Sequence, residues 1–286
     1  MTPADLTFTP VTRPALGRLA ELWRDIYAGL PVDFAFSGAG LSRHVASADI
    51  RLQHSVVAWI GGEPAALSLA ATRGGRAWIG GFGTAPAARG RGVGARLIRE
   101  QCDRLARCGY GDIAIEVLEG SPGRRLCEGA GFQAERRLVS FDCLTLSGRP
   151  APLAAPPAHA LVALAALSGD TPRTWQRDIA TLSRRLDEDV KAVAWPESGP
   201  PRAYAVLRQG FSCLEILDIA AADDHAAEVL VAALTARARG RRLRLIDEPA
   251  ASRIAGTFRR FGAQPRLVRL EMRRRHAGSQ VAGRAA

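Results

Sequence analysis

The sequence predicts an α/β protein made of two successive domains that share one order of elements, and three observations carry this reading. Amphipathic helical stretches alternate with short apolar strands along the whole chain. The second half repeats the element order of the first, the mark of an internal duplication. In that alignment Gly131-Phe132-Gln133 falls over Gly262-Ala263-Gln264, and Arg137-Leu138-Val139 lies close to Arg266-Leu267-Val268. The duplication rests on element order more than on identity. A Pro/Ala-rich stretch, residues 147–157, separates the halves; its composition cannot hold a helix or an inner strand, so it reads as a linker. The expected domains are therefore 1–146 and 159–275, joined by a linker at 147–158. Residues 276–286, small and polar, are expected to form a disordered tail.

In the first half, residues 14–30 form an amphipathic helix with Leu16, Leu19, Leu22, Trp23 and Ile26 on one face. A loop rich in aromatics and glycine follows, with Phe34 and Phe36. Strands are expected at 55–60 and 65–71, joined by the hairpin signal Gly61-Gly62. Another strand at 76–84 leads into a glycine-rich turn, and a helix runs over 93–107 with Val93, Leu97, Ile98 and Leu105 apolar. A strand at 112–118, a short helix at 122–129 and a strand at 134–143 complete this half. The second half reads as a strand at 160–167, a helix at 172–186, strands at 190–195, 203–208 and 211–219, a helix at 224–239, a strand at 242–246, a helix at 250–261 and a strand at 266–272.

Composition narrows the function. The chain has 286 residues, 47% hydrophobic and 23% charged, which is globular and not disordered. Its start lacks a basic region followed by an apolar run, and its most apolar stretch, 158–167, is far short of a spanning helix, so a soluble cytoplasmic protein without a membrane partner is expected. The five cysteines include no Cys-x-x-Cys pair and the five histidines no helix-spaced pair, so no metal is expected. The net charge of +11 is almost all arginine, with Lys191 the only lysine. The arginines form no aromatic-interleaved stripe, which argues against a nucleic-acid partner. A basic surface still attracts a polyanionic ligand.

The segment from Gly80 to Leu97 carries the chemistry. A strand ends near Thr84, Pro86 blocks its continuation, and a helix opens at about Val93; between them lies Arg89-Gly90-Arg91-Gly92-Val93-Gly94. Glycines let backbone N–H groups approach a phosphate, and the helix N-terminus adds unpaired donors and partial positive charge. Arg89 and Arg91 add full charge, giving an anion site sized for a pyrophosphate. The order is not the Gly-x-Gly-x-x-Gly of a Rossmann turn, and no Lys-Ser or Lys-Thr follows as in a Walker loop.

These residues resemble the signature of the GNAT acetyltransferase superfamily, Arg/Gln-x-x-Gly-x-Gly/Ala after a strand and a proline: Arg89, Gly92 and Gly94 match it and Pro86 precedes them. The family's second landmark, Leu-Tyr-x-x-x-Gly-Phe after a strand and an asparagine-bearing loop, has its counterpart in the strand 113–117 and in Leu126-Cys127-Glu128-Gly129-Ala130-Gly131-Phe132. The resemblance covers about residues 5–145. It implies a mixed, mostly antiparallel sheet flanked by helices, with a second GNAT-like domain behind it. It also implies acetyl-coenzyme A as co-substrate, held by Phe82, Gly83, Thr84, Arg89, Gly90, Arg91, Gly92, Val93, Gly94 and Ala95. The pantetheine arm lies between the strands 81–84 and 113–117, where a strand N–H polarises the thioester carbonyl.

The implied reaction is direct attack of a small-molecule or peptide amine on the thioester. Glu116 is the first candidate to accept the amine proton, with Glu119 as fallback. The family's tyrosine, which often protonates the departing thiolate, falls on Cys127; this thiol is either that acid or inert packing. The usual asparagine falls on Gly120 or Ser121. Substrate contacts in the family come from the first helix, the loop after it and strand edges, which points to Trp23, Tyr27, Phe34, Phe36 and Trp78.

At the equivalent of the glycine loop the second half reads Ile219-Ala-Ala-Ala-Asp-Asp-His225, with no glycine and with Asp223 and Asp224 at the helix start. Such residues cap a helix but repel a pyrophosphate, so this half is expected to be degenerate. Trp175, Trp195, Tyr204 and Glu215 are its candidate contributors to an acceptor pocket. A non-catalytic acyl-coenzyme A sensor is the rival reading, because the tyrosine is missing.

Overall fold

Strands and helices follow one another in the order β1 (Leu6–Pro10), α1 (Leu16–Tyr27), α2 (Gly38–Ser47), β2 (Val56–Ile60), β3 (Glu63–Arg73), β4 (Arg76–Thr84), α3 (Val93–Arg107), β5 (Asp112–Leu118), α4 (Pro122–Glu128), β6 (Gln133–Cys143), α5 (Leu161–Ala165), α6 (Ile179–Ser183), β7 (Val190–Trp195), β8 (Ala203–Gln209), β9 (Cys213–Ala221), α7 (Asp224–Ala238), β10 (Arg242–Pro249), α8 (Arg253–Arg260) and β11 (Pro265–Arg275). The computed structural model describes residues 6–11, 16–28, 38–144, 148–169, 171–186, 190–238 and 240–275. Phe34, Phe36 and the expected tail at 276–286 lie outside them. The chain divides into one compact unit of Met1–Glu135 with Leu270–Ala286, and another of Arg136–Arg269.

In the first unit β1, β2, β3 and β4 pair antiparallel in sequence order, β5 joins β4 in parallel, and β11 lies beside β5. This is a mixed, mostly antiparallel sheet. One face is covered by α3 and α4. Val93, Leu97, Ile98, Gln101, Cys102 and Leu105 form the buried stripe of α3, a helical period. Ile98, Cys102 and Leu105 pack with Ile79, Ile113, Ile115, Val117, Cys127 and Phe132, and Leu270 and Met272 of the last strand enter the same cluster. On α1, Leu19, Leu22, Trp23 and Ile26 are buried. Trp23 and Ile26 lie where β4 has no side chains: a Cβ on Gly81 would stand 2.0 Å from Trp23 Cη2, and one on Gly83 2.1 Å from Ile26 Cγ2. The glycines of this strand therefore serve the close approach of a helix to a sheet.

In the second unit the order is β6, β10, β9, β8, β7, with β9 and β10 parallel and the other pairs antiparallel. Helices α7 and α8 bury Ala226, Ala227, Leu230, Val231, Leu234, Ile254 and Phe258 against this sheet, and Phe258 stacks on Phe141 with centroids 5.0 Å apart.

Several expectations are corrected. Residues 160–167 hold the helix α5, not a strand, because Leu161 and Leu164 are the buried pair at helical spacing and Ala160, Ala163, Ala165 and Ala166 around them favour helix. Only Ile179–Ser183 and a single 3-10 turn, Trp175–Arg177, stand in the region expected as one helix over 172–186. β1 and α2 were not anticipated. Residues 148–157 are not a free linker: Ala154 exchanges backbone hydrogen bonds with Ala194 at 2.9 and 3.0 Å, and a Cβ on Gly148 would stand 2.4 Å from the Ala232 carbonyl oxygen of α7. The units part at Glu135 and Arg269 rather than in that stretch, and Leu270 onwards belongs with the first unit instead of the second. Periodicity identifies a strand but not the sheet that receives it.

Candidate active site

The site is built where β4 and β5 part. Their parallel pairing runs from Arg76–Asp112 to Ile79–Ile115 and stops. At that point β4 carries a bulge: Leu69 pairs with Gly81 and Ala70 with Ile79, so Gly80 is the extra residue. Beyond it Leu67 pairs with Gly83 and Leu69 with Gly81, and Ala85 N–H donates to Ala65 at 2.8 Å. The backbone groups of 81, 83 and 85 thus face β3, and alternation turns those of Phe82 and Thr84 towards β5. The bulge carbonyl of Gly80 accepts from His44 Nε2 at 2.9 Å, and His44 packs edge-on to Trp78 with centroids 6.1 Å apart.

At the far end of β4, Pro86–Ala88 forms a single 3-10 turn and the chain enters α3 through Gly92, which is left-handed at φ +73°. Gly90 is also at φ +73°. These two positions require glycine because side chains disfavour that conformation. Gly92 offers no side-chain cap, and the first intrahelical donor is Arg96 N–H to the Gly92 carbonyl at 3.2 Å. The N–H groups of Val93, Gly94 and Ala95 are therefore aimed out of the helix mouth. The first turn holds no acidic residue. Gly94 serves packing: a Cβ there would meet Leu126 Cδ1 at 3.0 Å and Thr84 Oγ1 at 3.1 Å. Arg89 is exposed but anchored, its Nε donating to Thr84 O at 3.1 Å and its Nη2 to Ile26 O at 2.9 Å, so it ties the end of α1 to the end of β4. Arg91 is exposed on the loop, whereas the Val93 side chain is buried in the core. Uncapped donors, glycine backbone and arginine charge suit a diphosphate.

On β5, Glu116 is half-buried and its Oε2 accepts from Trp78 Nε1 at 2.7 Å. It alternates with Ile113, Ile115 and Val117, which point into the α3 cluster, so it faces the opposite side of the sheet, as Trp78 does. Tyr27, the last residue of α1, is half-buried with its hydroxyl 3.3 Å from both the Phe82 oxygen and the Phe82 nitrogen. Ser121, at the start of α4, donates its hydroxyl to Leu118 O at 2.8 Å.

Two groups of sequence candidates change role. Trp23 and Trp78 are each 1% exposed and fill the core, which removes them as substrate contacts. Cys127 is 1% exposed inside the cluster around Phe132. Burial, then the neighbouring Cys102 and Glu128, pushes its thiol up to about 12. A thiol so weak and so enclosed does not serve as a proton donor. Sequence reasoning missed His44, whose lone position in a weakly periodic stretch gave no signal.

The second unit treats the equivalent place differently. β9 and β10 pair as far as Ile216–Leu245 and then part. The gap is filled from within: Arg173 and Arg177 both donate to Asp218, Arg177 also donates to Glu248, and Tyr204 donates to Asp218. Arg177 Nη2 takes the Ile219 carbonyl at 3.2 Å and Arg253 Nη1 the Ala221 carbonyl at 3.0 Å. What is left is a cavity of ≈ 70 Å³, room for a few waters but not for a thioester arm. The eight-residue connection from Thr84 to Val93 is here only Ala222-Asp223, and Asp223 caps α7 by accepting from Ala226 N–H at 2.8 Å. Of the candidates in this unit, Tyr204 belongs to the internal network, and Glu215 accepts from Arg208 at 3.1 Å. Trp175 is buried, and Trp195 packs on His225 with centroids 5.6 Å apart.

Residues 21–132 match the family model described as the acetyltransferase (GNAT) family. No curated protein sequence matches the chain. Among solved structures, a GCN5-related N-acetyltransferase from Sphaerobacter thermophilus superposes with a TM-score of 0.69 at 16% identity, over 96% of this chain and 97% of its own. A tandem GNAT protein from the clavulanic acid biosynthesis pathway superposes with a TM-score of 0.67 at 12% identity, over 95% and 98%. No helix among the described residues is long and apolar enough to cross a membrane. The uncapped helix mouth and parted strands lie within residues 21–132, the region that the GNAT acetyltransferase family model matches, in a chain whose fold is similar to that of a tandem GNAT protein.

Proposed function

We propose that the protein is an N-acyltransferase that moves an acetyl group from acetyl-coenzyme A to a primary amine of a small molecule or peptide by direct attack. The observation that carries this is the uncapped mouth of α3 at Gly92, reached by the chain directly from β4, the strand that parts from β5. The loop Arg89–Ala95 holds the diphosphate. The pantetheine arm lies along the end of β4, where the Phe82 peptide holds the Tyr27 hydroxyl and the Thr84 carbonyl holds Arg89, and a strand N–H beside the bulge polarises the thioester carbonyl. Glu116, oriented by Trp78, takes the proton of the attacking amine. The second unit does not bind the donor, because its own arginines and carboxylates fill the corresponding gap.

The test is acetyl-coenzyme A-dependent thiol release with a panel of primary amines. Turnover is expected for the native protein, with Glu116→Gln reduced about 100-fold or more in kcat and its donor affinity kept. Donor binding without thiol release on any amine would make the protein an acyl-coenzyme A sensor, a reading that the burial of Cys127 favours.

A further inference from the structure

Transfer from a thioester leaves a thiolate, and position 127, where the resemblance puts the proton donor, holds a thiol walled into the core. Another hydroxyl stands on β4, at the Phe82 peptide. We propose that Tyr27, at the end of α1, is the general acid that protonates the departing thiolate; this rests on the acyl-transfer reading above.

Three observations place it. The Tyr27 hydroxyl is 3.3 Å from both polar atoms of the Phe82 peptide, whose backbone groups face the gap between β4 and β5. Its ring is held against Trp23, with centroids 4.8 Å apart at 43°. The Arg89 guanidinium bonds the Ile26 and Thr84 carbonyls, pinning the residue before Tyr27 to the strand two residues beyond Phe82. The phenol is thus fixed on the strand segment that a thioester would pair with. The Thr84 hydroxyl at the same edge is a far weaker acid than a phenol, which ordinarily titrates near 10. Glu116 is occupied as the base.

The step balances without another reactant. The amine nitrogen attacks the carbonyl carbon and gives its proton to Glu116. The C–S bond breaks with its electron pair on sulfur, and the Tyr27 proton moves to that sulfur. The phenolate is reprotonated through solvent by the proton that Glu116 releases.

The experiment measures thiol release from acetyl-coenzyme A with an arylalkylamine, a polyamine and a short peptide, as kcat and KM against pH. Tyr27→Phe keeps the ring on Trp23. It is expected to lower kcat by about 10-fold or more, to leave donor affinity by calorimetry within about 2-fold, and to abolish the alkaline limb of the kcat profile. Fluorotyrosine at position 27, nearly the same size but more acidic, should move that limb to lower pH; a tyrosine that only packs would leave it in place. Cys127→Ala should keep both rate and limb. Full kcat with the limb intact in Tyr27→Phe, an unmoved limb with fluorotyrosine, or loss of the limb in Cys127→Ala overturns the assignment while acyl transfer stands. Absence of thiol release in the native protein overturns the acyl-transfer reading and this inference with it.

Discussion

Replacing Gly92 separates backbone strain from charge at the helix mouth. Gly92 is left-handed at φ +73°, and a Cβ there meets no atom within 4 Å. Gly92→Ala and Gly92→Glu therefore share the same strain, about 1–2 kcal/mol of stability, with no clash inside the protein. Only the second adds a negative charge beside the Val93, Gly94 and Ala95 amides. A diphosphate on those amides would lie roughly 5–6 Å from the new carboxylate, where each unit charge repels it by about 3 kcal/mol at an effective dielectric near 20. Salt at physiological strength, with a Debye length of about 8 Å, removes about half of that. About 3 kcal/mol remains for two phosphate charges, roughly a 100-fold loss of affinity. Calorimetry with coenzyme A should show Gly92→Glu weaker by about that factor and Gly92→Ala within about 3-fold, the gap narrowing as salt rises. Equal affinities for the two variants would mean that the diphosphate does not sit at this helix mouth.

Gly81→Ala should cost about 1–3 kcal/mol, because the new methyl would lie 2.0 Å from Trp23 Cη2 and a helix must shift off the sheet. Thermal unfolding reads this directly, and an unchanged midpoint would contradict the tight contact. The Asp142 carboxyl has a pH signature. Burial raises its pKa, but hydrogen bonds from Arg242 and Arg266 and the charge of Arg244 outweigh this and hold it below the ordinary carboxylate range. A lowered folded value means stability that is complete above the unfolded pKa, near 4, and lost as pH falls through the folded one. Asp142→Asn should flatten the loss of stability between pH 5 and pH 3 in denaturant titrations; parallel acid limbs in the two proteins would refute the linkage.

The glycine loop was legible because its chemistry is local. Gly92 needs a left-handed turn and offers no cap, and both follow from residue type and from the helix that starts at Val93. The strands around it were legible for the same reason, since alternation and the Gly61-Gly62 turn act over a few residues. The fate of Cys127 was not. Whether a thiol meets solvent depends on which way a seven-residue helix rolls against Ile98, Cys102 and Phe132. Nor was the pairing of Tyr27 with Phe82, because the two lie 55 positions apart and meet only through the fit of α1 onto a strand without side chains. In the second half, the loss of glycines announced a changed loop, but not that Arg173 and Arg177 would occupy the gap themselves.

The final strand sets a timetable for biosynthesis. Leu270 and Met272 sit in the core beside Ile113 and Ile115, and Arg273 pairs with Asp112 at 3.0 Å and with Glu135 at 3.1 Å. A ribosome delivers residues 6–135 first, yet they wait for this strand until the whole stretch from Arg136 to Arg269 has been made. The stretch from Arg136 to Arg269 is continuous and can mature ahead of them. A nascent chain halted just before Leu270 would carry every residue of the helix mouth and the parted strands, but not the β-strand that completes their sheet.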